Sequence, residues 1–170
     1  MGVEIPAANS QELPKSLQLL QENFPDDVRE AVVANGDAVA RVAAGAVRRI
    51  LEFLKSDARL LFSVLVDITA VDYLGREPRF EVVYNLVSMA HRQRVRLRVE
   101  VGGDHPEVDS VAELWGCANW LEREVWDMYG IGFRGHPDLK RILLYPEFQG
   151  HPLRKDYPIQ RRQPLIGPKN

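Results

Sequence analysis

Cysteine is almost absent from this chain of 170 residues, since Cys117 is the only one. A single thiol excludes an intrachain disulfide and an iron–sulfur cluster held only by cysteines of this chain. Long apolar runs are absent too, because no stretch approaches the roughly 20 residues that a bilayer-spanning helix needs. The N-terminal residues lack the basic flank and apolar run of a signal peptide. These absences predict a soluble chain in a reducing compartment, which reaches a membrane only through partners.

The net charge is also small, at −2, and gives no reason to expect nucleic acid or an anionic membrane surface as a partner. The charge is unevenly distributed. Residues 131–170 contain eight basic and three acidic side chains, a net charge of +5, which leaves −7 for residues 1–130. A basic segment on an acidic body is typical of a docking device, but a solvated tail can have the same composition, so both interpretations stay open.

The periodicity of apolar residues predicts an α+β fold. Helices are predicted over residues 14–24, 46–56 and 111–129, and strands over 28–34, 38–44, 61–71, 80–87 and 94–101. Asn35-Gly36 is typical of a tight hairpin turn, although the Ala-rich run before it could instead extend a helix. The sequence therefore predicts a mostly antiparallel sheet packed by helices on one side in a core domain (1–130), and an extended irregular C-terminal arm (131–170).

Two strand patterns predict where the sheet is buried. Residues 61–71 are apolar almost throughout, as in a strand covered on both faces, so this strand is predicted to be central. Residues 94–101 alternate strictly and place Arg94, Arg96 and Arg98 on one face. This row is either a solvated face or a surface for an acidic partner, and in both cases we expect a counter-charge nearby.

The last predicted helix begins at a Ser-x-x-Glu capping box, Ser110 to Glu113, and ends at Gly130. Its final turns carry four charged residues: Glu122, Arg123, Glu124 and Asp127. Carboxylates at this end oppose the helix dipole, at about 0.3–1 kcal/mol each. We therefore expect cationic partners from an arm that folds back, most simply among Arg134, Lys140, Arg141, Arg154 and Lys155.

The arm itself has no helical or strand periodicity, and prolines interrupt its apolar residues. Such a segment cannot build a core of its own, yet it is too apolar for a disordered tail. We therefore expect another protein to order it, which is typical of a scaffold subunit that embraces a partner.

Residues 130–135 match the letters of a dinucleotide-binding fingerprint, G-x-G-x-x-G. That motif needs a strand before it and a helix after it, whereas here a helix precedes and His136-Pro137 follows. The glycines are better interpreted as positions that allow positive φ angles and close backbone approach.

Histidines and carboxylates near the arm raise two further hypotheses. Four of them are possible metal ligands but share no spacing of a known zinc or di-iron site: His136, Asp138, His151 and Asp156. Acid–base catalysis by Glu122, Glu124 and Asp127 lacks an accompanying nucleophile or oxyanion-hole motif. The favoured interpretation is a salt-bridge network that pins the arm. A stand-alone hydrolase using His136 and the carboxylates is the alternative, which turnover by the isolated chain would reveal.

Two segments of this region carry a family resemblance. EREVWDMYGIGFRGHPDLKRIL at residues 122–143 and GHPLRKDYP at residues 150–158 resemble the signatures of the thirty-kilodalton subunit of respiratory complex I, the C subunit of the bacterial NADH-quinone oxidoreductase. The strands match in the same order, so the resemblance covers about residues 37–160. Lys140 stands where an arginine is common, which keeps the charge but loses the planar fork.

The resemblance implies a subunit with no catalytic, cofactor or metal site of its own, since FMN and the iron–sulfur clusters belong to other subunits. It implies packing on the forty-nine-kilodalton quinone-site subunit and its iron–sulfur neighbours, on the cytoplasmic side of the bacterial inner membrane. The whole complex passes electrons from NADH to quinone and pumps protons. The runner-up is the equivalent subunit of a membrane-bound hydrogenase or of a ferredoxin- or F420-dependent dehydrogenase.

Sixteen residues of the two signatures are the candidates for anchoring the arm and contacting partners. They are Glu122, Arg123, Glu124, Asp127, Gly130, Phe133, Gly135, His136, Pro137, Asp138, Leu139, Arg141, Arg154, Lys155, Asp156 and Tyr157.

Overall fold

The computed structural model of the chain describes residues 13–160 and residue 163, and its main element is a five-stranded β-sheet. The elements in chain order are α1 (Lys15–Asn23), β1 (Val28–Ala34), β2 (Asp37–Val42), a 3-10 turn (Ala44–Ala46), α2 (Val47–Ser56), β3 (Val64–Asp72), β4 (Phe80–Ser88), β5 (Gln93–Val101), β6 (Glu107–Asp109), α3 (Ala118–Tyr129) and β7 (Gly132–Arg134). The predicted α+β class and the irregular C-terminal arm are confirmed. The end of the predicted arm, 161–162 and 164–170, lies outside the described residues.

The sheet has the strand order β1-β2-β5-β4-β3. Three of its strand pairs are antiparallel, and only β2 and β5 run parallel. The sheet is therefore mixed but mostly antiparallel, as predicted. The parallel pair arises because β2 and β5 are separated by α2 and the β3–β4 hairpin, a crossover long enough to return the chain in the same direction.

The turn between β1 and β2 has the geometry that its sequence predicts. Asn35 and Gly36 have φ angles of 52° and 86°, so both central residues are left-handed, as a two-residue hairpin turn requires. The Ala-rich run before the turn is thus a strand, and the alternative of an extended helix is wrong.

The core lies between one face of the sheet and the helices. The stripe Val47, Ile50, Leu51 and Leu54 of α2 is fully buried, together with Leu17 and Leu20 of α1. Alternate side chains of the sheet, such as Tyr84 and Leu97, join the same cluster. The opposite face of the sheet, here called the open face, carries side chains such as Thr69, Asn85 and Arg96.

The strand predicted to be central, β3, is an edge strand, so that prediction is wrong. Its apolar run serves two other purposes. Phe62 lies in the loop before the strand and is fully buried in the core, while α3 packs against the strand itself. Val64 and Val66, by contrast, are 40% and 56% exposed. The apolar run of residues 61–71 is therefore explained by a buried loop and a covering helix, not by a strand with neighbouring strands on both sides.

The arginine row of β5 lies on the open face and finds partners on neighbouring strands. Arg98 Nε donates to Glu81 Oε1 at 2.7 Å, and Arg96 Nε donates to Asn85 Oδ1 at 2.9 Å. Arg96 also lies 3.4 Å from the Asp37 carboxylate. The expectation of counter-charges is therefore confirmed for two of the three arginines. The choice between a solvated face and a partner surface stays open.

The last helix begins later than predicted, and the predicted capping box does not form. Ser110 Oγ accepts a hydrogen bond from the Ala112 N–H at 3.2 Å, and the Glu113 carboxylate pairs with Arg48. Turns follow, and α3 starts only at Ala118. The short strands β6 and β7, which pair in parallel, were not predicted, since three residues are too few to show a period.

None of the helices in residues 13–160 combines the length and the apolar character needed to cross a membrane.

The hairpin turn gives a direct test of the fold. Gly36→Ala places a Cβ at φ +86°, which we expect to lower the unfolding free energy by about 1–2 kcal/mol in urea denaturation. The control is Gly45→Ala, in the 3-10 turn, where a Cβ meets nothing within 4 Å and φ is not left-handed. Equal stability of the two variants would contradict the turn geometry.

Candidate functional site

The arm supplies the groups that terminate α3. The last carbonyls of any helix have no donor within the helix. Gly130 ends α3 in the left-handed conformation, with φ 71°. From the arm, the Leu153 N–H donates to Met128 O at 3.1 Å, and Arg154 Nε donates to Tyr129 O. His151 Nδ1 lies 3.0 Å from Asp127 O and donates to it. The segment Gly-His-Pro-Leu-Arg is therefore the C-terminal cap of α3.

Asp127 is the first of two buried anchors for the arm. Its fully buried carboxylate accepts the N–H groups of Ile142, Leu143 and Leu144 on Oδ2, each at 3.0 Å. Arg141 Nη1 donates to Oδ1 at 2.6 Å. Burial alone would raise the pKa of Asp127, but these hydrogen bonds outweigh it and hold the pKa below its usual value. Asp127 therefore stays ionised and fixes three consecutive arm residues.

Asp72, at the end of β3, is the second anchor. Arg79 donates two hydrogen bonds to its buried carboxylate, at 2.8 and 2.7 Å, and the Lys155 N–H donates a third at 2.8 Å. The same guanidinium donates twice to Asp156, at 2.9 and 2.8 Å. The hydrogen bonds from Arg79 lower the pKa of both carboxyl groups. One arginine of the body thus joins a body carboxylate to an arm carboxylate.

Aromatic rings pack beside both anchors. The Arg154 guanidinium lies 5.2 Å from the centre of the Phe80 ring, and that of Arg141 lies 5.7 Å from the Trp126 ring. Phe148 stacks on Tyr157 with 6.1 Å between ring centres. Such cation–π and ring contacts add about 0.5–2 kcal/mol each. The arm is therefore held by polar anchors with aromatic support.

The first part of the arm runs back along α3. Arg123 donates to the carbonyls of Lys140 and Arg141, at 3.1 and 3.0 Å. His136 Nε2 lies 3.1 Å from Asn119 O, and His136 Nδ1 accepts the Asp138 N–H at 3.0 Å. The arm thus contacts its own chain from His136 to Asp156, and the expectation that another protein orders it stays a prediction.

The remaining candidate residues lie outside the two anchors. Phe133 is buried in the core, Leu139 packs against it, and Pro137 is exposed. Gly130 and Gly135 have the positive φ angles expected of them. A Cβ at Gly130 would lie 2.5 Å from His151 Nε2, so the predicted close approach to the Gly130 backbone is confirmed. Whether these residues contact a partner stays a prediction, as does the division at residue 130.

Glu122 contradicts the expectation of a cationic partner. It is fully buried, accepts the Val111 N–H on Oε1 at 2.6 Å, and lies 2.6 Å from Ser110 Oγ through Oε2. Burial raises the pKa of Glu122 to about 7. Glu124 is exposed, and no basic group of the described residues lies within 4.0 Å of its carboxylate. The predicted salt-bridge network therefore includes Asp127 but neither glutamate.

The three carboxylates do not share a site, which removes the geometric basis for acid–base catalysis by that cluster. Glu122 binds the loop before α3, Glu124 faces solvent, and Asp127 holds the arm. Within residues 13–160 and 163, no group of three or more histidine, cysteine and acidic side chains is placed to hold a metal ion.

Sequence reasoning missed Asp72 and Arg79, the second anchor. Their contacts with Lys155 and Asp156 join residues 77 and 83 positions apart, which periodicity does not report. One signal was present. An aspartate at the end of an apolar strand and an arginine just before the next strand lie at the two ends of one short connection, close enough for an ion pair.

The described residues define an α+β protein whose buried carboxylates hold an irregular C-terminal segment on its surface. The chain belongs to the family described as the respiratory-chain NADH dehydrogenase 30 Kd subunit, whose family model matches residues 40–163. The resemblance found in the sequence is confirmed.

Relatives and solved structures agree with the family. The NADH-quinone oxidoreductase C subunit of Geotalea uraniireducens is 42% identical over 150 residues, 87% of this chain and 90% of that protein. The Geobacter sulfurreducens counterpart is 45% identical over 151 residues, 87% and 92% of the two chains. A trypsin-resistant fragment (1–134) of Nqo5 has a TM-score of 0.63 at 34% identity, covering 72% of this chain and 97% of the fragment.

A second solved structure comes from another kind of complex. A chain of the membrane-bound sulfane sulfur reductase, an archaeal respiratory membrane complex, has a TM-score of 0.71 at 26% identity, and the match covers 84% of each of the two chains. The same architecture therefore occurs in more than one type of respiratory complex.

Removal of the Asp127 carboxylate should loosen the arm. In Asp127→Ala, the three N–H groups and Arg141 lose their acceptor, at about 1–3 kcal/mol for each group left unpaired. We expect trypsin to cleave after Arg141 or Lys155 about 10- to 100-fold faster than in the wild type. Asp138→Ala is the control, because Asp138 is exposed and, among the described residues, forms a salt bridge only with Lys140. Equal cleavage of both variants would contradict the anchor.

Glu122 should make stability depend on pH. The folded chain keeps this proton up to about pH 7, whereas the ordinary pKa is 4.5. The stabilisation is complete below pH 4.5 and is lost as the pH rises to 7, by up to about 3 kcal/mol. As the pH rises over that range, we expect the unfolding free energy of Glu122→Gln, measured in urea, to increase by this amount relative to that of the wild type. The other titrating groups contribute equally to both proteins, so their contributions cancel in the difference between the two unfolding free energies. A difference that stays constant with pH would contradict the buried, protonated carboxyl group.

Proposed function

We propose that this chain is a structural subunit, without catalysis or a cofactor of its own, in the peripheral arm of a proton-translocating NADH-quinone oxidoreductase. Its C-terminal arm docks on the quinone-site subunit and its iron–sulfur neighbours, on the cytoplasmic side of the inner membrane. FMN and the iron–sulfur clusters belong to other subunits. Membership of the family and the names of the relatives support this role.

The observation that carries the proposal is the anchored arm. Residues 135–160 form neither helix nor strand, and ordering such a segment costs about 1–2 kcal/mol per residue. The two buried carboxylates, Asp127 and Asp72, offset part of this cost. A segment fixed in advance loses less entropy on binding, so the anchors support a docking role better than a role as a solvated tail.

The single cysteine supports a chain without a cluster of its own. Catalysis would then belong to the assembled complex, NADH:quinone oxidoreductase, and this subunit would contribute rigidity and assembly.

Two substitutions in the arm test this role. Arg154→Ala and Asp156→Ala remove the α3 cap and the salt bridge to Arg79, so we expect less assembled complex in membranes of a complemented deletion strain. The NADH-to-quinone rate per assembled complex should be unchanged. Arg134→Ala is the control, because Arg134 is an exposed arginine of β7 that contacts neither anchor. Normal assembly with slow turnover would show that the chain takes part in the chemistry, and normal assembly with normal turnover would show that these two contacts are not needed for docking.

A second function within the same class is a place in a related respiratory complex with another electron donor, which the similarity to the sulfane sulfur reductase chain favours. An affinity pull-down of the intact chain from its native membranes, followed by mass spectrometry, separates the two. A flavin subunit that oxidises NADH among the recovered proteins supports the first function, and a different donor subunit supports the second.

A further inference from the structure

The arm turns its backbone toward the body and two of its leucine side chains toward solvent. The Leu143 N–H binds Asp127 Oδ2 at 3.0 Å, yet the side chain is 61% exposed. The Leu153 N–H binds Met128 O at 3.1 Å, and its side chain is 51% exposed. Ile159, further along, is fully exposed.

This arrangement follows from the anchors. Asp127 takes N–H groups from three consecutive residues, which fixes the direction of the backbone and leaves the middle side chain, Leu143, on the outer side. Leu153 is fixed in the same way by a carbonyl at the end of α3. Isolated exposed leucines are common on protein surfaces, but hydrogen bonds to the body hold the backbone of these two in place.

The two leucines also belong to one region. Their N–H groups bind consecutive residues of α3, 127 and 128, so they flank the same last turn of that helix. Other exposed apolar side chains, such as Leu74 and Met89, lie in the β3–β4 and β4–β5 connections.

We infer that Leu143 and Leu153 form an apolar ridge that inserts into an apolar surface of another subunit of the same oxidoreductase. The inference rests on the proposed function. Charge specifies the partner further, because Lys155 is exposed two positions after Leu153 and no carboxylate of the described residues lies within 4.0 Å of its ammonium group. The partner surface is therefore an apolar depression with acidic residues at its rim.

The test replaces the two anchored leucines in the full chain. In the double variant Leu143→Ser/Leu153→Ser, the anchors remain, so the thermal stability of the isolated chain should be unchanged. Assembled complex in membranes should fall about tenfold or more, since two apolar contacts are lost. Leu74→Ser is the matched control, because Leu74 is 52% exposed but lies on the body, and it should assemble normally. The double variant Leu143→Met/Leu153→Met keeps an apolar ridge and should also assemble normally.

A deletion of residues 142–170 separates this inference from the proposed function. If the deletion prevents assembly while the double serine variant assembles normally, the arm docks through other groups and the ridge is overturned. If both assemble normally, the docking role of the arm fails as well. An equal loss of assembled complex in Leu74→Ser, or a loss of assembled complex in the double methionine variant, would also contradict the ridge.

Discussion

The buried carboxylate of Asp127 fixes the course of the C-terminal arm. An unpaired charge in this position would cost several kcal/mol, and four donors from the arm prevent that. The helix and the arm therefore depend on each other, because α3 supplies the carboxylate while the arm supplies its donors and the groups that bind the last helical carbonyls. Removal of the Asp127 carboxylate would leave N–H groups of the arm without an acceptor, and removal of the arm would leave the carboxylate without donors.

Two carboxylates of the same helix illustrate how surroundings decide ionisation. Asp127 has an arginine and three N–H donors, and its pKa lies below the usual value. Glu122, slightly more than one turn earlier, has one N–H and a hydroxyl group, and burial raises its pKa to about 7. Asp127 acts as a charged anchor, whereas Glu122 joins α3 to the loop before it largely as a neutral acid at lower pH.

The sequence predicts the elements whose stability is local. The helical stripe of α2, the Asn35-Gly36 turn and the alternation of β5 all follow from short-range chemistry, and the structure confirms them. The same reasoning fails where distant residues decide. The edge position of β3 depends on the order of the whole sheet, and the burial of Glu122 depends on a loop that does not form the expected cap.

The site was predictable to a similar extent. An excess of carboxylates at the end of α3 indicated that basic residues would fold back, and the structure shows Arg141 on Asp127. Backbone N–H groups as the main donors were not foreseeable, since every residue except proline carries one and the sequence does not mark which are used. For the same reason, periodicity gave no sign of the contacts between the arm and its own chain.

The most direct test of this account is hydrogen exchange on the isolated full-length chain. The account predicts that the amides of residues 142–144 and of Lys155 exchange far more slowly than in an unstructured peptide, because buried carboxylates accept their hydrogen bonds before any partner is present. Exchange at the rate of an unstructured chain, with protection appearing only in the assembled complex, would contradict it and would show that a partner orders the arm.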